Sequence, residues 1–323
     1  MCTAVSFNTH NHYFGRNLDL EYHFNEQVVI TPRKFPFVFR HKNTISEHYA
    51  IIGIAVVEEG FPLYYDATNE CGLSMAALNF PGYTAYFPVD ATKDNIAPFE
   101  LIPWFLCQCR TIVDCRELLN KINIVDIPFN KNFPNTPLHW LISDRKESIV
   151  IEQTKAGLSI YDNPIGVLTN SPPFPYHLCN LQNFLNITAK EPENRFSKHL
   201  NLTPYSRGMG GIGLPGDLSS ASRFVRAAFT KANSLCDPNE CSSVSQFFHI
   251  LGSVKQQRGC VQVGDHYEIT YYSSCCNTDT GVYYYTTYEN AQITAISMHN
   301  EALNSKQVIA YPLITEQLIR IEN

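Results

Sequence analysis

Runs rich in β-branched and aromatic residues set the pattern of the chain. Gln27–Thr31 and Tyr49–Val57 read as strands, the second followed by a turn at Glu59-Gly60. Leu138–Ser143 and Ser148–Gln153 flank the polar stretch Asp144-Arg145-Lys146-Glu147, which predicts a hairpin. Leu158–Tyr161 and Gly166–Thr169 continue the series. Near the C-terminus, Tyr267–Ser273, Gly281–Thr287 and Gln292–Ser297 follow one another across short polar connections, the pattern of an antiparallel meander.

Helical spacing is confined to four places. Cys115, Leu118, Leu119 and Ile122 fit i, i+3, i+4, i+7, as do Val244, Phe247, Phe248 and Leu251 behind Ser242 or Ser243 as cap. Ala221, Phe224, Val225, Ala228, Phe229 and Ala232 form the clearest apolar stripe. Pro98–Cys109 is the fourth, with Pro103 setting its start or a kink. Strands and helices segregate instead of alternating, so the expected class is α+β and not a doubly wound sheet. With no repeat, low-complexity tract or linker, residues 1–323 read as one domain.

Composition narrows the function. The 24 basic and 30 acidic residues leave a net charge of −6, the wrong sign for a nucleic-acid footprint. Hydrophobic residues make up 44%, enough for a large core, and the 17% of charged residues is low for a globular chain. The longest apolar run, Ala50–Val57, is far short of the ~20 residues of a membrane span. The first residues have neither a basic start nor a long apolar stretch, so no signal peptide is expected and the chain reads as cytoplasmic. Its 11 cysteines cannot all pair internally, and reduced thiols suit that compartment. None of their spacings is C-x-x-C, so no metal is expected.

Several motifs carry less than they suggest. Gly208-Met-Gly210-Gly-Ile-Gly213 matches G-x-G-x-x-G, but no apolar strand precedes it and Pro215-Gly216 prevents a helix from opening there. It reads as a glycine-rich loop. The sequons at Asn186 and Asn201 are idle in a chain that meets no glycosylation machinery. His10-Asn-His12 could be a metal pair on a strand, but reads as two exposed polar residues.

The N-terminus is the candidate chemistry. Removing Met1 would leave Cys2 with both a thiol and an α-amine. The amine titrates near ~8 and can take a proton at neutral pH, while a thiol of pKa ~8.5 is a ready nucleophile. Taken alone, Cys2 also fits an unimportant terminal cysteine. Phe14-Gly15-Arg16-Asn17-Leu18-Asp19 changes that balance. It follows an expected strand from Cys2 to Phe7 and its return through Tyr13, and so brings a cation and a carboxylate to the thiol. Asp19 could accept from the amine and Arg16 favour the thiolate; the plain alternative is a surface ion pair.

Taken together, these segments resemble the choloylglycine hydrolase family of N-terminal nucleophile hydrolases, and within it the bile salt hydrolases of Gram-positive gut bacteria. The resemblance spans essentially the whole chain. It rests on Met1-Cys2-Thr3-Ala4, Phe14-Gly15-Arg16-Asn17, Asn69-Glu70 with Gly72-Leu73, and Leu78-Asn79-Phe80-Pro81. Leu138-His139-Trp140, Gly166 to Pro172, Gly213 to Asp217 and Ser222-Arg223-Phe224 complete it. It implies an αββα sandwich of two antiparallel sheets between helical layers, no cofactor and a homotetramer.

The implied catalytic set is Cys2, Arg16, Asp19, Asn79, Asn170 and Arg223. Cys2 is nucleophile and, through its amine, base; Asp19 and Arg16 position and polarise it. The Asn170 side chain, with the backbone or side chain of Asn79, forms the oxyanion hole. Arg223 falls in the first turn of the Ala221 helix, where a cation is mildly disfavoured, and so supports an organising role. The implied substrates are glycine- or taurine-conjugated bile acids, which need an apolar groove. Leu18 is expected on its rim. Phe61, Tyr65, Phe129, Phe133 and Leu138 lie on segments that ring the pocket in such enzymes, with core packing as the alternative for each. Two other functions compete: penicillin V acylase, whose branch carries Tyr where this chain has Asn79, and a non-catalytic binding protein on the same scaffold.

Overall fold

The computed structural model describes all 323 residues, Met1–Asn323. The first strands are β1 (Cys2–Asn8), β2 (His12–Leu20), β3 (Gln27–Thr31), β4 (Ile51–Glu58), β5 (Phe61–Asn69) and β6 (Ser74–Asn79). A short parallel pair follows, β7 (Asp94–Ile96) and β8 (Ile122–Ile124), then β9 (Leu138–Ser143), β10 (Ser148–Thr154), β11 (Gly157–Asp162) and β12 (Val167–Leu168). The last are β13 (Gln262–Val263), β14 (His266–Tyr267), β15 (Ile269–Asn277), β16 (Val282–Thr287), β17 (Thr294–Ser297) and β18 (Ile309–Pro312).

They assemble into two large antiparallel sheets. One has six strands in the order β12-β1-β2-β15-β16-β17; the other has eight, β11-β10-β9-β6-β5-β4-β3-β18. Helices α1 (Leu101–Gln108) and α2 (Ile112–Leu119) cover the outer face of the eight-stranded sheet. On the far side, α4 (Ser220–Asn233) and α5 (Glu240–Gly252) cover the six-stranded sheet, with α3 (Phe174–Leu181) packed on α4. The result is an α+β sandwich in the layer order αββα.

Period-2 alternation fixes which side chains meet. Val28, Ile30, Ile52, Ile54, Ala76, Leu78, Leu141 and Val150 face the six-stranded sheet and join its core. Their neighbours Val29, Ile51, Met75, Trp140, Ile149 and Ile151 point the other way, onto Trp104, Phe105 and Leu106 of α1. A one-residue slip would exchange these two sets, so register is strongly specified. At Glu59-Gly60 both residues take positive φ, +50° and +78°, as a two-residue hairpin turn between β4 and β5 requires.

Some boundaries depart from the sequence pattern. Asn120 ends α2, and Ile122 opens β8 instead of extending the helix. The cap of α5 is Asn239, whose side chain accepts from the Ser242 amide at 2.9 Å, and not Ser242 or Ser243. Pro103 sits in the first turn of α1, where a missing N–H is harmless, and Cys109 is already past its end. The glycine-rich stretch forms a single 3-10 turn, Met209–Gly211, with no strand before it. No helix is long and apolar enough to cross a membrane.

Candidate active site

Residues 2 to 19 form one hairpin in the six-stranded sheet, with Cys2 opposite Leu18 and Ala4 opposite Arg16. Cross-strand partners share a face, so Cys2, Arg16 and Leu18 look into the space between the sheets. Asn17 and Asp19 look the other way, toward the helices. Gly15 makes this possible: a Cβ there would lie 2.0 Å from Ser274 O, so β2 and β15 close together only over glycine.

Arg16 crosses the sandwich. Its Nη1 donates to Tyr65 O at 3.0 Å and Ala77 O at 2.5 Å in the eight-stranded sheet. Burial opposes its charge, yet the thiol of Cys2, Tyr272, Asp66 and Asp19 around it raise its pKa overall. Its Nη2 is buried without a partner. Nearby Asp66 accepts from Tyr272, Tyr283 and Ser274 hydroxyls at 2.7, 2.5 and 3.1 Å. Arg16 and Asp19 are not a surface ion pair: both are 0% exposed and on opposite faces of β2.

Asp19 accepts from the Thr270 hydroxyl at 2.6 Å and stands 3.9 Å from Arg223 Nη1. Burial raises its pKa, against the pull of Arg223 and the N-terminus. Arg223, projecting from the first turn of α4, is the hub of this face. Nη1 donates to Cys2 O (2.5 Å) and the Thr3 hydroxyl (2.7 Å), Nη2 to Asn170 Oδ1 (2.7 Å) and Nε to Leu218 O (3.0 Å). Burial alone lowers its pKa, with Asp19, Cys2 and Glu268 acting in the opposite sense.

Asn170 joins the two sides. Its Oδ1 accepts from Cys2 N at 2.8 Å as well as from Arg223, and its Nδ2 donates to Asn79 O at 2.7 Å. Two donors on one atom and a carbonyl on the other fix the orientation of this amide. An NH2 carries two protons, so one remains for a further acceptor. The Asn79 carbonyl oxygen is therefore occupied as an acceptor, while its side-chain Oδ1 is buried and unpartnered. Met1 extends the β1–β2 ladder: its carbonyl accepts from Asp19 N at 2.9 Å, and its ammonium donates to Asp19 O at 2.6 Å and to buried Glu268.

All six implied catalytic residues thus converge on one end of the sandwich. The six proposed for substrate contact divide. Tyr65 lies beside Arg16, and Leu138 pairs with Asn79 across β6 and β9. Leu18 is not on a rim; at 2% exposure it packs in the core as the cross-strand neighbour of Cys2. Phe61 and Phe129 belong to an aromatic cluster with Phe99, and Phe61 also meets Phe37. Phe133 reaches from Phe129 toward Phe24 on the surface.

No sequence signal marks Ser220, Thr270, His177 or Glu268, and Thr3 stands in the Met1-Cys2-Thr3-Ala4 motif without a role of its own. His139 has two signals, its place in the Leu138-His139-Trp140 motif and an imidazole in the mostly apolar strand Leu138–Ser143.

Residues 2–311 match the family model described as linear amide C-N hydrolases, choloylglycine hydrolase family. The chain belongs to the choloylglycine hydrolase family. It is 56% identical over 98% of both chains to a bile salt hydrolase/transferase of Lactiplantibacillus plantarum, and 40% identical over 96% of both to one of Clostridium perfringens. The solved C2A mutant of conjugated bile acid hydrolase from Clostridium perfringens superposes with a TM-score of 0.92 at 38% identity, over the full length of both chains. A penicillin V acylase from Agrobacterium tumefaciens shares the fold, with a TM-score of 0.76 at 18% identity over 96% of this chain and 90% of its own. This choloylglycine hydrolase therefore has the N-terminal nucleophile hydrolase fold, and its Cys2 lies where β1 begins.

Proposed function

We propose that this enzyme hydrolyses the amide bond of glycine- or taurine-conjugated bile acids with the N-terminal thiol of Cys2. The observation that carries the reading is the convergence on Asn170, where Cys2 N, Arg223 and the Asn79 carbonyl meet within 2.7–2.8 Å. Relatives named for bile salts at 56% and 40% identity support the substrate class.

In this reading Met1 is removed and Cys2 N becomes an amine. The amine takes the thiol proton, and sulfur attacks the amide carbonyl. The free Asn170 N–H and the Asn79 region hold the oxyanion, worth typically ~10²–10³ in rate per donor. The ammonium returns its proton to the leaving nitrogen, which releases glycine or taurine and leaves a thioester. Water, deprotonated by the same amine, attacks the thioester and frees the bile acid and the thiol. Arg16 and Asp19 act from opposite faces of β2, Arg16 on the thiol side and Asp19 on the Arg223 side. Capture of the thioester by another amine in place of water is the second reading, and the transferase part of both relatives' names favours it.

Tyr65 and Leu138 are the pocket residues nearest this centre, with Phe133 at its outer edge; Leu18, Phe61 and Phe129 shape the pocket from behind. We also assign one catalytic domain over residues 1–323, a homotetramer and a cytoplasmic location. The test is a panel of glycocholate, taurocholate and penicillin V with purified protein, together with Edman sequencing. Bile salt turnover by a chain that starts at Cys2 supports the reading. Active protein that still begins with Met1 refutes the amine as base, and preferred turnover of penicillin V refutes the substrate class.

A further inference from the structure

Two buried imidazoles grip consecutive carbonyls of the segment that carries Asn170. His139 Nε2 lies 3.0 Å from Thr169 O, and His177 Nε2 lies 2.9 Å from Asn170 O. Each ring stacks on a phenyl ring, His139 on Phe80 at 4.3 Å and 4°, His177 on Phe224 at 4.8 Å and 21°. A carbonyl oxygen only accepts, so both Nε2 atoms carry protons. The Asn170 N–H is held as well, by Ser220 Oγ at 2.8 Å. The backbone on both sides of Asn170 is thus pinned before any substrate arrives.

The two rings differ at their other nitrogen. His177 Nδ1 has no partner, as suits a neutral ring. His139 Nδ1 lies 3.1 Å from Glu152 Oε1, and that oxygen also accepts the Phe174 N–H at 2.9 Å. A neutral His139 protonated on Nε2 would point an Nδ1 lone pair at a carboxylate oxygen. Two acceptors at that distance repel, so a further proton lies between them. Oε1 already accepts a backbone N–H, as a carboxylate oxygen does, and Oε2 is buried with no acceptor near it to call for a proton there, which leaves the proton on the ring. The pair is wholly buried, each side chain 0% exposed.

We infer that His139 and Glu152 form a buried imidazolium–carboxylate pair that positions the Asn170 amide for catalysis. Neither residue touches the reacting atoms; His139 is a positioning residue. It holds one side of the oxyanion site through Thr169 O and steadies the other by stacking on Phe80, the residue after Asn79. A donor displaced by about 1 Å costs on the order of 10²-fold in rate, so a rigid mount has a catalytic value. The inference rests on Asn170 as oxyanion donor in the proposed reaction.

Nitrogen-15 NMR of histidine-labelled wild-type protein tests it, with His139→Gln to assign the signals. Both His139 ring nitrogens should carry protons in the spectrum of the wild-type protein. A bare His139 ring nitrogen at neutral pH overturns the pair. Glu152→Gln keeps the shape and removes the charge. It should deprotonate His139 Nδ1 and lower kcat for glycocholate by ~10–100-fold, with KM changed by less than ~3-fold. An unchanged kcat with only a lower Tm would mean a merely structural pair and overturn the positioning role. If Glu152→Gln does not fold, the wild-type spectrum still decides the charge state. Wild-type protein inert toward bile salts would count against the proposed function instead, and would leave the nitrogen spectrum unchanged.

Discussion

The two ends of β1 carry buried polar networks of opposite character. At its start, Cys2 and Thr3 meet Arg223, Asn170 and Asp19, with Arg16 on the other face. Charges are buried there, and Arg16 Nη2 and Asn79 Oδ1 have no partner. At its end, Ser6 Oγ lies 2.9 Å from His12 Nε2 and 2.8 Å from Ser143 Oγ, which reaches Ser148 Oγ at 2.9 Å. His12 Nδ1 closes the network on Thr278 Oγ1 at 2.9 Å. Every member of this cluster between the sheets is uncharged and bonded, while on the helix-facing side of the same end the Tyr13 hydroxyl has no partner. An unsatisfied buried polar atom costs ~1–3 kcal/mol, so a fold tolerates one where another benefit offsets it. Unpartnered atoms beside buried charge mark the working end of the strand; the neutral cluster at the other end holds the sheets together.

The largest expected effect separates the two ends outright. Cys2→Ala should lower glycocholate hydrolysis by at least ~10⁴-fold, as loss of a nucleophile does elsewhere, while Tm stays within a few degrees. Cys2→Ser should be nearly as inactive, because a hydroxyl is the weaker nucleophile at neutral pH. Substantial turnover by either variant would remove the thiol from the mechanism. Asn170→Ala comes next, with kcat expected to fall by ~10²–10³-fold; a change confined to KM would assign Asn170 to ground-state binding.

The neutral end should respond to pH through stability. Burial lowers the pKa of His12 from its ordinary 6.5 to about 4, partly offset by Asp279 and Asp144. The unfolded chain therefore binds a proton in a window where the native one does not. This group's contribution is present above pH 6.5 and lost as pH falls toward 4, by about 3 kcal/mol in all. His12→Gln should flatten that part of a denaturation series; an unchanged slope would show that other groups drive the acid loss. Asp19 at the other end acts in the opposite direction. Its pKa is raised by burial, so its contribution declines as pH rises from the ordinary carboxyl value through the raised one. The smallest effect concerns specificity. Asn79→Tyr should cut bile salt kcat/KM by ~10-fold, about 1.4 kcal/mol, and penicillin V turnover by less. An equal fall in both would make Asn79 a shared element without bearing on substrate choice.

Strands with clear apolar runs bounded by polar stretches are legible to the residue: Gln27–Thr31 and Leu138–Ser143 are observed as expected. Strands β5 and β6 are not. A proline at 62, a register shift at Tyr65 and an inward Asp66 break the alternation of β5, and paired alanines weaken the β signal of β6. Helix α3 was hidden by its length and by Pro173 and Pro175 at its start. The candidate site residues follow from the resemblance of the linear motifs to those of the family, which implies them one by one. Their geometry does not. Which face of β2 carries Arg16 and which Asp19 follows from pairing with β1 and β15, and the same pairing buries Leu18, whose place between Arg16 and Asp19 in the sequence suggests a rim. His139 and Glu152 face each other across the β9–β10 hairpin and His177 comes from α3, and only tertiary packing brings them to Thr169 and Asn170.

The seating of Met1 bears on how the protein can be handled. Its ammonium is tucked against Glu268 and Asp19 at the head of the β1–β2 ladder. Any peptide fused ahead of Cys2 must leave through that spot and keeps Cys2 N an amide. Beyond β18, by contrast, residues 315–323 are exposed and outside both sheets. The two ends are unequal as points of attachment: a purification handle, a fluorophore or a solid support belongs at Asn323, and the same addition at the other end would yield a folded protein with its base masked.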